Sequence, residues 1–235
     1  MNNPYIKSSI LKFYFWFFSS FLIARILLPT LIKIQRFIGF RLSFSQFSED
    51  LFFEKEVDKK GKYIEIGCNH PVLVSNSYKL YLRGWEGIVI DGDNNFKRYW
   101  TRARPRDRFL NALVSDKKEK ISFFKHRATF VSSISEEHIK KFNKDEFKEE
   151  VHETVELKDI IQENDIEKFD ILFIDIEGMD FKVISSLDLS VIRPTYICIE
   201  DHDFLYGKSE IEEYLTKSDY FNVARFGPSF IYKKL

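Results

Sequence analysis

Residues 61–69 read GKYIEIGCN, and this stretch decides the fold. Residues 63–66 form a short apolar run carrying one acid, Glu65. The run breaks at Gly67 in a tight turn that leads toward a helix. Strand, glycine turn and helix make up the opening unit of an α/β fold of the nucleotide-binding type. The carboxyl end of such a strand opens onto a crevice. Glycine there lets a ligand approach the backbone, and a carboxylate can accept hydrogen bonds from hydroxyl or amino groups. Glycine after a strand is common, so the weight of the reading comes from the residues downstream of it.

After Gly67 the chain runs CNHPVLVSNSYKLYLRGW. Pro71 excludes a helix starting directly at the glycine. A helix from residue 74 or 75 to 82, ended by Gly84, is expected instead. Residues 86–91, EGIVID, read as a second buried strand ending in Asp91, 26 residues after Glu65. An acid at that place in this unit holds ribose hydroxyls. Asp91 also begins DGDN, good turn chemistry, and both readings stay open. Residues 94–100 read as a short helix. Arg102, Arg104, Arg106 and Arg108 read as a solvated loop, or as a patch that meets an anionic substrate or a phosphate.

Residues 109–114 read as a third strand and 120–124 as a further extended piece, an edge or a hairpin. Residues 136–150 are charged with sparse apolar positions, which suits a surface helix or a lid. Residues 151–157 alternate and read as extended, followed by a short helix over 158–163. Residues 169–176, FDILFIDI, are the most apolar strand and are expected at the centre of a parallel sheet. They run into Asp175-Ile176-Glu177-Gly178 and a helix over 179–187. The strand 194–200 ends in Glu200-Asp201-His202-Asp203, a helix covers 209–216, and 220–224 with 229–233 form a hairpin around Gly227-Pro228. Upstream, Ser48, Glu49 and Asp50 read as a helix start, with Phe52, Phe53 and Val57 as its apolar face. Three core strands thus end in acids, Glu65, Asp91 and Asp175, pointing into one crevice. P-loop, nucleophile-elbow and HExxH patterns are absent.

The 235 residues hold one α/β domain and an appendage. Lys plus Arg and Asp plus Glu both number 36, so no net field favours nucleic acid. Cys68 and Cys198 lie at predicted core strands, which suits buried free thiols in a reducing compartment rather than a disulfide framework.

Residues 13–24, FYFWFFSSFLIA, carry no charge, and ILLPTLIKI follows Arg25. The uncharged run is short of the roughly 20 residues a spanning helix needs. Lys7 and Lys12 before it, and Lys33, Arg36 and Arg41 after it, suit a helix lying in an anionic membrane surface through residues 8–35. A signal peptide lacks a clear small-x-small cleavage site here. Counted through Arg25 the segment reaches spanning length, at the cost of one buried or snorkelling cation and Pro29, and a helix packed on the domain or on a second copy of the chain is a further reading. The expected division is a hydrophobic element over 1–41 and a folded domain over 42–235, on the cytoplasmic side of a membrane or in the cytoplasm.

These motifs together resemble the FkbM family of S-adenosylmethionine-dependent methyltransferases, from about Phe44 to the carboxyl end. Ser45-Gln46-Phe47-Ser48-Glu49-Asp50-Leu51 is similar to the family's SQxGEDL entry motif. Residues 63–71 with Ser75-Asn76-Ser77 resemble a subfamily form of its first glycine motif. Gly84-Trp85-Glu86-Gly87-Ile88 with Asp91 resembles its second-strand motif, and Ile174-Asp175-Ile176-Glu177-Gly178 its IDVEG motif. The chain departs from the pattern at Ser48, where glycine is usual, at Glu65, where aspartate is common, at Asn69-His70-Pro71, where a later glycine is usual, and at Met179-Asp180, where relatives carry His-Glu.

The resemblance implies a Rossmann-like class I methyltransferase domain: a mostly parallel seven-stranded sheet with a carboxyl-terminal antiparallel hairpin. Here it follows an amino-terminal hydrophobic helix. It implies methyl transfer from S-adenosylmethionine to a hydroxyl of a sugar, a glycan or a related metabolite. It places Glu65, Gly67, Cys68 and Asn69 along the methionine part of the cofactor, with Asn76 in the same motif. Asp91 and Gly92 then stand at the ribose, Asn111 and Ala112 near the adenine, and Asp175 and Glu177 at the reacting centre. Glu200 and His202 are the remaining base candidates, and His202 is equally readable as a satisfied loop histidine. His70 is a candidate on the acceptor side. No metal is assigned, although the acids Asp175, Glu177, Glu200 and Asp201 are hard oxygen ligands. Two rival readings stand. One is a membrane-associated glycosyltransferase using Asp91-Gly92-Asp93 as a metal–sugar-nucleotide motif. The other is a methyltransferase-like scaffold without turnover.

Overall fold

The computed structural model describes residues 42–57, 60–126, 132–133, 147–176, 178–207 and 209–235. The hydrophobic segment at 13–34 and the helix or lid expected over 136–146 lie outside the described residues. So does Glu177. No helix among the described residues is long and apolar enough to cross a membrane.

The stretch containing Glu65 forms β1 (Lys62–Ile66), and it lies at the middle of a seven-stranded sheet. On one side it pairs in parallel with β2 (Glu86–Asp91), which pairs in parallel with β3 (Arg108–Asn111). On the other side it pairs with β8 (Ile171–Ile174), and β8 with β9 (Tyr196–Glu200), again in parallel. The sheet closes with a hairpin. Strand β11 (Ser229–Lys234) runs antiparallel to β9, and β10 (Tyr220–Phe226) runs antiparallel to β11 at the edge. The order β3-β2-β1-β8-β9-β11-β10 reverses direction of growth at β1, so the switch point of the doubly wound sheet lies between β1 and β8. The expected mostly parallel seven-stranded sheet with its terminal hairpin is what forms.

Both faces of this sheet are covered, which is why its central strands are nearly continuous apolar runs. Ile64, Ile66, Ile90, Leu172, Ile174, Ile197 and Ile199 share one core with helices α5 (Asp180–Ser185) and α6 (Glu210–Lys217). Tyr63, Val89, Ile171, Phe173, Tyr196 and Cys198 belong to the second core, which is rich in aromatic rings. There α1 (Glu49–Glu56) inserts Phe53, fully buried, with its ring edge-on to Phe173 at 5.2 Å and to Tyr196 at 5.8 Å. Burying one such side chain contributes about 1.5–3 kcal/mol. Ser48 stands before α1 at φ 76, a left-handed conformation, which accounts physically for glycine being usual at that place.

Helix α2 (Tyr78–Leu82) begins later than the sequence suggests. Val74 holds φ 55, costly for a β-branched residue and incompatible with a continuing helix. The 3₁₀ turn Asn94–Phe96 and α3 (Lys97–Ala103) fulfil the expected short helix, and α4 (Leu157–Glu163) the one before β8.

The expected single strand over 109–114 is two strands. The chain bends at Ala112, and β4 (Leu113–Ser115) leaves the main sheet to pair in parallel with β7 (Phe147–Glu156). With β5 (Lys120–His126) and β6 (Ser132–Ser133) these make a second, four-stranded sheet in the order β4-β7-β5-β6. Residues 147–150, expected in a surface helix or lid, are therefore strand. The alternation visible at 151–157 begins four residues earlier, masked in the sequence by the run Phe147-Lys148-Glu149-Glu150 with its mixture of charges.

Candidate functional site

The carboxyl ends of β1, β2 and β8 converge at Gly67. Its φ is +75, and a Cβ there would fall on the carbonyl oxygen of Asp175 and 2.8 Å from its carbon. The Gly67 and Cys68 N–H groups donate to the Ile90 carbonyl at 2.9 and 3.1 Å, and the Asp175 N–H donates to Ile66 at 3.1 Å. Glycine here lets three strand ends meet around a backbone floor.

Asp91, at the end of β2, accepts the Asn69 N–H on Oδ2 and the Asp93 N–H on Oδ1, both at 2.8 Å. A carboxylate has about four lone-pair directions, so two of them remain for hydroxyl donors. Burial pushes its pKa up to about 6, against the two backbone hydrogen bonds. Asn111 donates from Nδ2 to the carbonyls of Asp91 and Gly92 at 2.9 Å each, and the Ala112 N–H donates to Asp91 at 3.1 Å. These bonds bring the β2 and β3 ends together and turn the chain out to β4. Gly92 is packed so closely on Leu113 and Phe123 that a Cβ would meet Phe123 at 3.0 Å. Asp93 caps the 3₁₀ turn through Asn95 at 3.0 Å and pairs with Lys125 of the second sheet at 3.4 Å. Beside this turn, Asn94, Asn95, Lys97 and Arg98 line an open depression of about 380 Å³.

The loop from Cys68 to Ser77 is fastened at each turn. Trp100 Nε1 donates to the Asn69 carbonyl at 2.7 Å. His70 is buried, and its Nδ1 accepts the Val72 and Leu73 N–H groups at 3.2 and 3.1 Å. Burial lowers its pKa to about 4. His70 is thus a loop fastener held neutral, and the acceptor-side reading of it falls. The Ser75 N–H donates to Phe44 at 2.9 Å, which docks the entry motif on this loop. That motif caps itself. Phe44 N–H and Ser45 Oγ donate to Asp50 at 2.8 and 3.1 Å, while Glu49 accepts from Phe47 N–H at 2.9 Å and from Ser229 of β11 at 2.8 Å.

Glu65 does not open onto the crevice. It is 3 % exposed and receives Ser77 Oγ and the Asn76 N–H beneath the loop. Its neighbour is Arg104, the largest departure from the sequence reading. Expected in a solvated basic loop, Arg104 is wholly buried. It donates to Asp107 at 2.5 Å, to the Pro71 carbonyl at 3.2 Å, to Ser75 Oγ at 3.1 Å, to Ser77 Oγ at 2.8 Å and to the Tyr63 hydroxyl. Its guanidinium lies 4.2 Å from the Trp100 ring centre and 5.1 Å from that of Tyr81. Burial acts to lower its pKa, but Tyr63, Asp107 and Glu65 outweigh it, and the charge stays. Arg106 stays exposed but is not free, donating to the Tyr81 carbonyl with its head 3.9 Å from the ring centre. The overlooked signal was alternation: Tyr63 and Glu65 share one face of β1, and two polar groups on a buried face demand a partner.

Burial pushes the Glu65 pKa up to about 7, while Arg104 and the Ser77 and Asn76 hydrogen bonds pull it down. The folded state therefore holds this proton more tightly than the unfolded chain. Its stabilising contribution is complete below about pH 4.5 and is lost as pH rises toward about 7. Asp91 and Asp180, both raised to about 6, act in the same direction. His70 acts oppositely, its contribution present above about pH 6.5 and lost toward pH 4. Glu65→Gln is expected to reduce the fall in unfolding free energy between pH 5 and 7.5, read from urea denaturation, by an amount of order 3 kcal/mol. An unchanged pH profile would exclude a protonated, buried Glu65.

On the other side of Gly67, Asp180 closes the segment that carries Asp175. Nearly buried at the start of α5, it accepts the Ile176 N–H at 3.2 Å and the Gly178 N–H at 3.0 Å. Burial and the nearby Glu200 raise its pKa to about 6, against those hydrogen bonds. At the end of β9, Glu200 Oε2 and His202 Nε2 are 3.1 Å apart, with side chains 10 % and 55 % exposed. Asp201 is spent on structure. It takes the Asp203 and Phe204 N–H groups at 3.1 and 3.0 Å and the Ser209 hydroxyl that caps α6. Among the described residues no group of three His, Cys, Asp or Glu side chains is placed to hold a metal ion.

Cys68 and Cys198 are buried free thiols, as expected. Burial and surrounding acids push both well above the usual thiol pKa.

A parallel sheet with a backbone cradle at its switch point and an acid at the end of its second strand defines a class of nucleoside-binding enzymes. The FkbM methyltransferase domain matches residues 65–221, and the chain belongs to that family. It is an S-adenosylmethionine-dependent methyltransferase. The glycosyltransferase reading of Asp91-Gly92-Asp93 is overturned by this membership, and geometry explains the motif: both acids serve the turn after β2. Among solved structures, a TehB-like S-adenosylmethionine-dependent methyltransferase from Corynebacterium glutamicum is similar at 10% identity and a TM-score of 0.41, over 88% of this chain and 96% of that one. No curated protein matches the sequence.

Proposed function

We propose that the enzyme methylates a hydroxyl of a sugar, a glycan or a related metabolite. The observation that carries this reading is the Glu200–His202 pair at the carboxyl end of β9, 3.1 Å apart, with the histidine open to solvent and the acid nearly enclosed. A buried carboxylate orienting an accessible imidazole suits removal of a proton from an alcohol as its oxygen attacks.

The remaining roles are assigned from the family resemblance. The Gly67–Cys68–Asn69 backbone lines the methionine side. Asp91 receives the ribose hydroxyls on its two free lone-pair directions. Gly92, Asn111 and Ala112 border the adenine. Glu65 serves through Ser77 and the backbone of Asn76, fixing the loop from below rather than touching the cofactor. Asp175 and Glu177 are assigned to the reacting centre on the resemblance, and Asp180 accepts the Ile176 and Gly178 N–H groups. The cofactor supplies a sulfonium methyl group for in-line displacement. The chain's part is to align the acceptor oxygen, exclude water and take the proton.

His202→Ala is expected to lower kcat on an accepted sugar by about 10²–10⁴-fold while leaving S-adenosylmethionine affinity unchanged. Release of S-adenosylhomocysteine across a panel of free sugars and glycosides, with mass spectrometry of the product, measures this. An unaltered kcat would remove His202 as the base. Residues 1–41 are assigned to attachment at the cytoplasmic side of a membrane and 42–235 to catalysis. The uncharged aromatic run at 13–24 and its cationic flanks support that division.

A further inference from the structure

The hairpin between β10 and β11 turns at the same end of the sheet as His202, and just before that turn it carries the cation Arg225. Arg225 is exposed, and its Nε donates to the Gly227 carbonyl at 3.0 Å. Its guanidinium carbon lies 4.7 Å from the ring centre of Phe204 and 5.0 Å from that of Phe230. No carboxylate among the described residues forms an ion pair with it. The neighbouring acids have other tasks. Asp201 caps the turn that contains Phe204, Glu49 holds Ser229, and Glu200 faces His202. Phe47 of the entry motif, 37 % exposed, stands against Gly227, where a Cβ would be 2.8 Å from its ring.

We infer that Arg225 is a specificity residue that reads an anionic group, a carboxylate or a phosphate, on the acceptor. The inference rests on the acceptor reading above. A guanidinium held beside two rings loses little freedom when it binds, and its outer N–H groups form a fork that fits a carboxylate or phosphate. Acids stand at the ends of the neighbouring strands, Asp175 after β8 and Glu200 and Asp203 at and after the end of β9, so an anion would be drawn to this cation rather than to them. Arg225 aligns with Phe230, and Phe230 with Ile199. Two strand spacings therefore separate it from the strand that ends in Glu200 and His202, roughly 10 Å. The charge it reads lies across a ring from the reacting hydroxyl, or on the adjoining unit, as in a uronic acid residue or a sugar phosphate. Phe47 offers an apolar surface for the body of the same acceptor.

The test uses the full chain saturated with S-adenosylhomocysteine. Calorimetry measures binding of methyl glucoside, methyl glucuronide and glucose 1-phosphate, and of one non-sugar pair, benzyl alcohol and 4-(hydroxymethyl)benzoate. Wild-type protein is expected to bind the anionic member of at least one pair ten or more times more tightly than its neutral counterpart. Arg225→Leu, which keeps the stem over the rings, is expected to abolish that preference, and Arg225→Lys to restore part of it. Thermal unfolding and S-adenosylmethionine affinity should be unaltered in both. Equal binding of neutral and anionic members, no binding of any of them, or a preference that survives Arg225→Leu, overturns the inference. Turnover of neutral sugars with no anion preference defeats Arg225 alone and leaves the sugar reading standing. An Arg225-dependent preference confined to the benzoate supports the anion site and defeats the sugar reading.

Discussion

Gly67→Ala is expected to cost about 2–5 kcal/mol of stability and to abolish measurable cofactor binding. Two separate penalties add. A Cβ at φ +75 costs about 1–2 kcal/mol in backbone energy. The same carbon would overlap the Asp175 carbonyl, which is backbone and cannot rotate away, and overpacking of this kind typically costs about 1–3 kcal/mol more. Relief requires the ends of β1 and β8 to separate, and that breaks the pair of hydrogen bonds to Ile90 on the other flank. A domain of this size is stable by about 5–15 kcal/mol, so the variant should fold but unfold at a much lower urea concentration. Titration with S-adenosylmethionine then separates the effects. A folded variant that binds with wild-type affinity would show that the crevice floor does not depend on this contact.

The second large effect is expected at Arg104. Arg104→Met keeps much of the side-chain volume and removes every donor. It leaves Asp107 and Glu65 buried with no cation, and it strips Ser75, Ser77 and Pro71 of their shared partner. Loss of one member of a buried charge cluster costs about 3–5 kcal/mol, and denaturant midpoints measure it. Arg104→Lys should rescue little, because one ammonium with three hydrogens cannot reach acceptors arranged around a planar fork. Asp107→Asn in the Arg104→Met background should cost less than in the wild type, since the carboxylate it removes has already lost its cation. Strict additivity of the two substitutions would mean that the pair does not act as a unit.

Much of the main sheet was legible because its strands are buried on both faces and end in glycines or acids. Residues 86–91 and 194–200 announce themselves by composition, and the terminal hairpin by Gly227-Pro228. The second sheet was not legible as a unit. Its long strand β7 is half exposed, and Lys148, Glu149 and Glu150 obscure the alternation that a buried face would display. Arg104 was misread for a related reason. Four arginines at alternate positions look alike in sequence, and only tertiary packing distinguishes Arg104 under the Cys68–Ser77 loop from its exposed neighbours Arg102 and Arg108. In the candidate site, Gly67, Asp91, Asp175, Glu200 and His202 were recognisable because strand ends converge. Asp180 was passed over, although an acid in the first turn after a glycine is a ready cap for the preceding backbone.

The order of strands has a consequence for the chain while it is being made. β1 meets β2 within about 25 residues of sequence, yet its other edge waits for β8, which begins at Ile171. At ribosomal rates of about 5–20 residues per second, that edge stays open for roughly 5–20 s. The bond from Ser229 to Glu49 spans 180 positions and closes only after Ser229 has left the ribosome. A nascent chain therefore displays an apolar parallel edge, rich in isoleucine, for seconds before its natural neighbour arrives. Expression at lowered temperature, or with chaperones that shield such edges, addresses that interval rather than the stability of the finished enzyme.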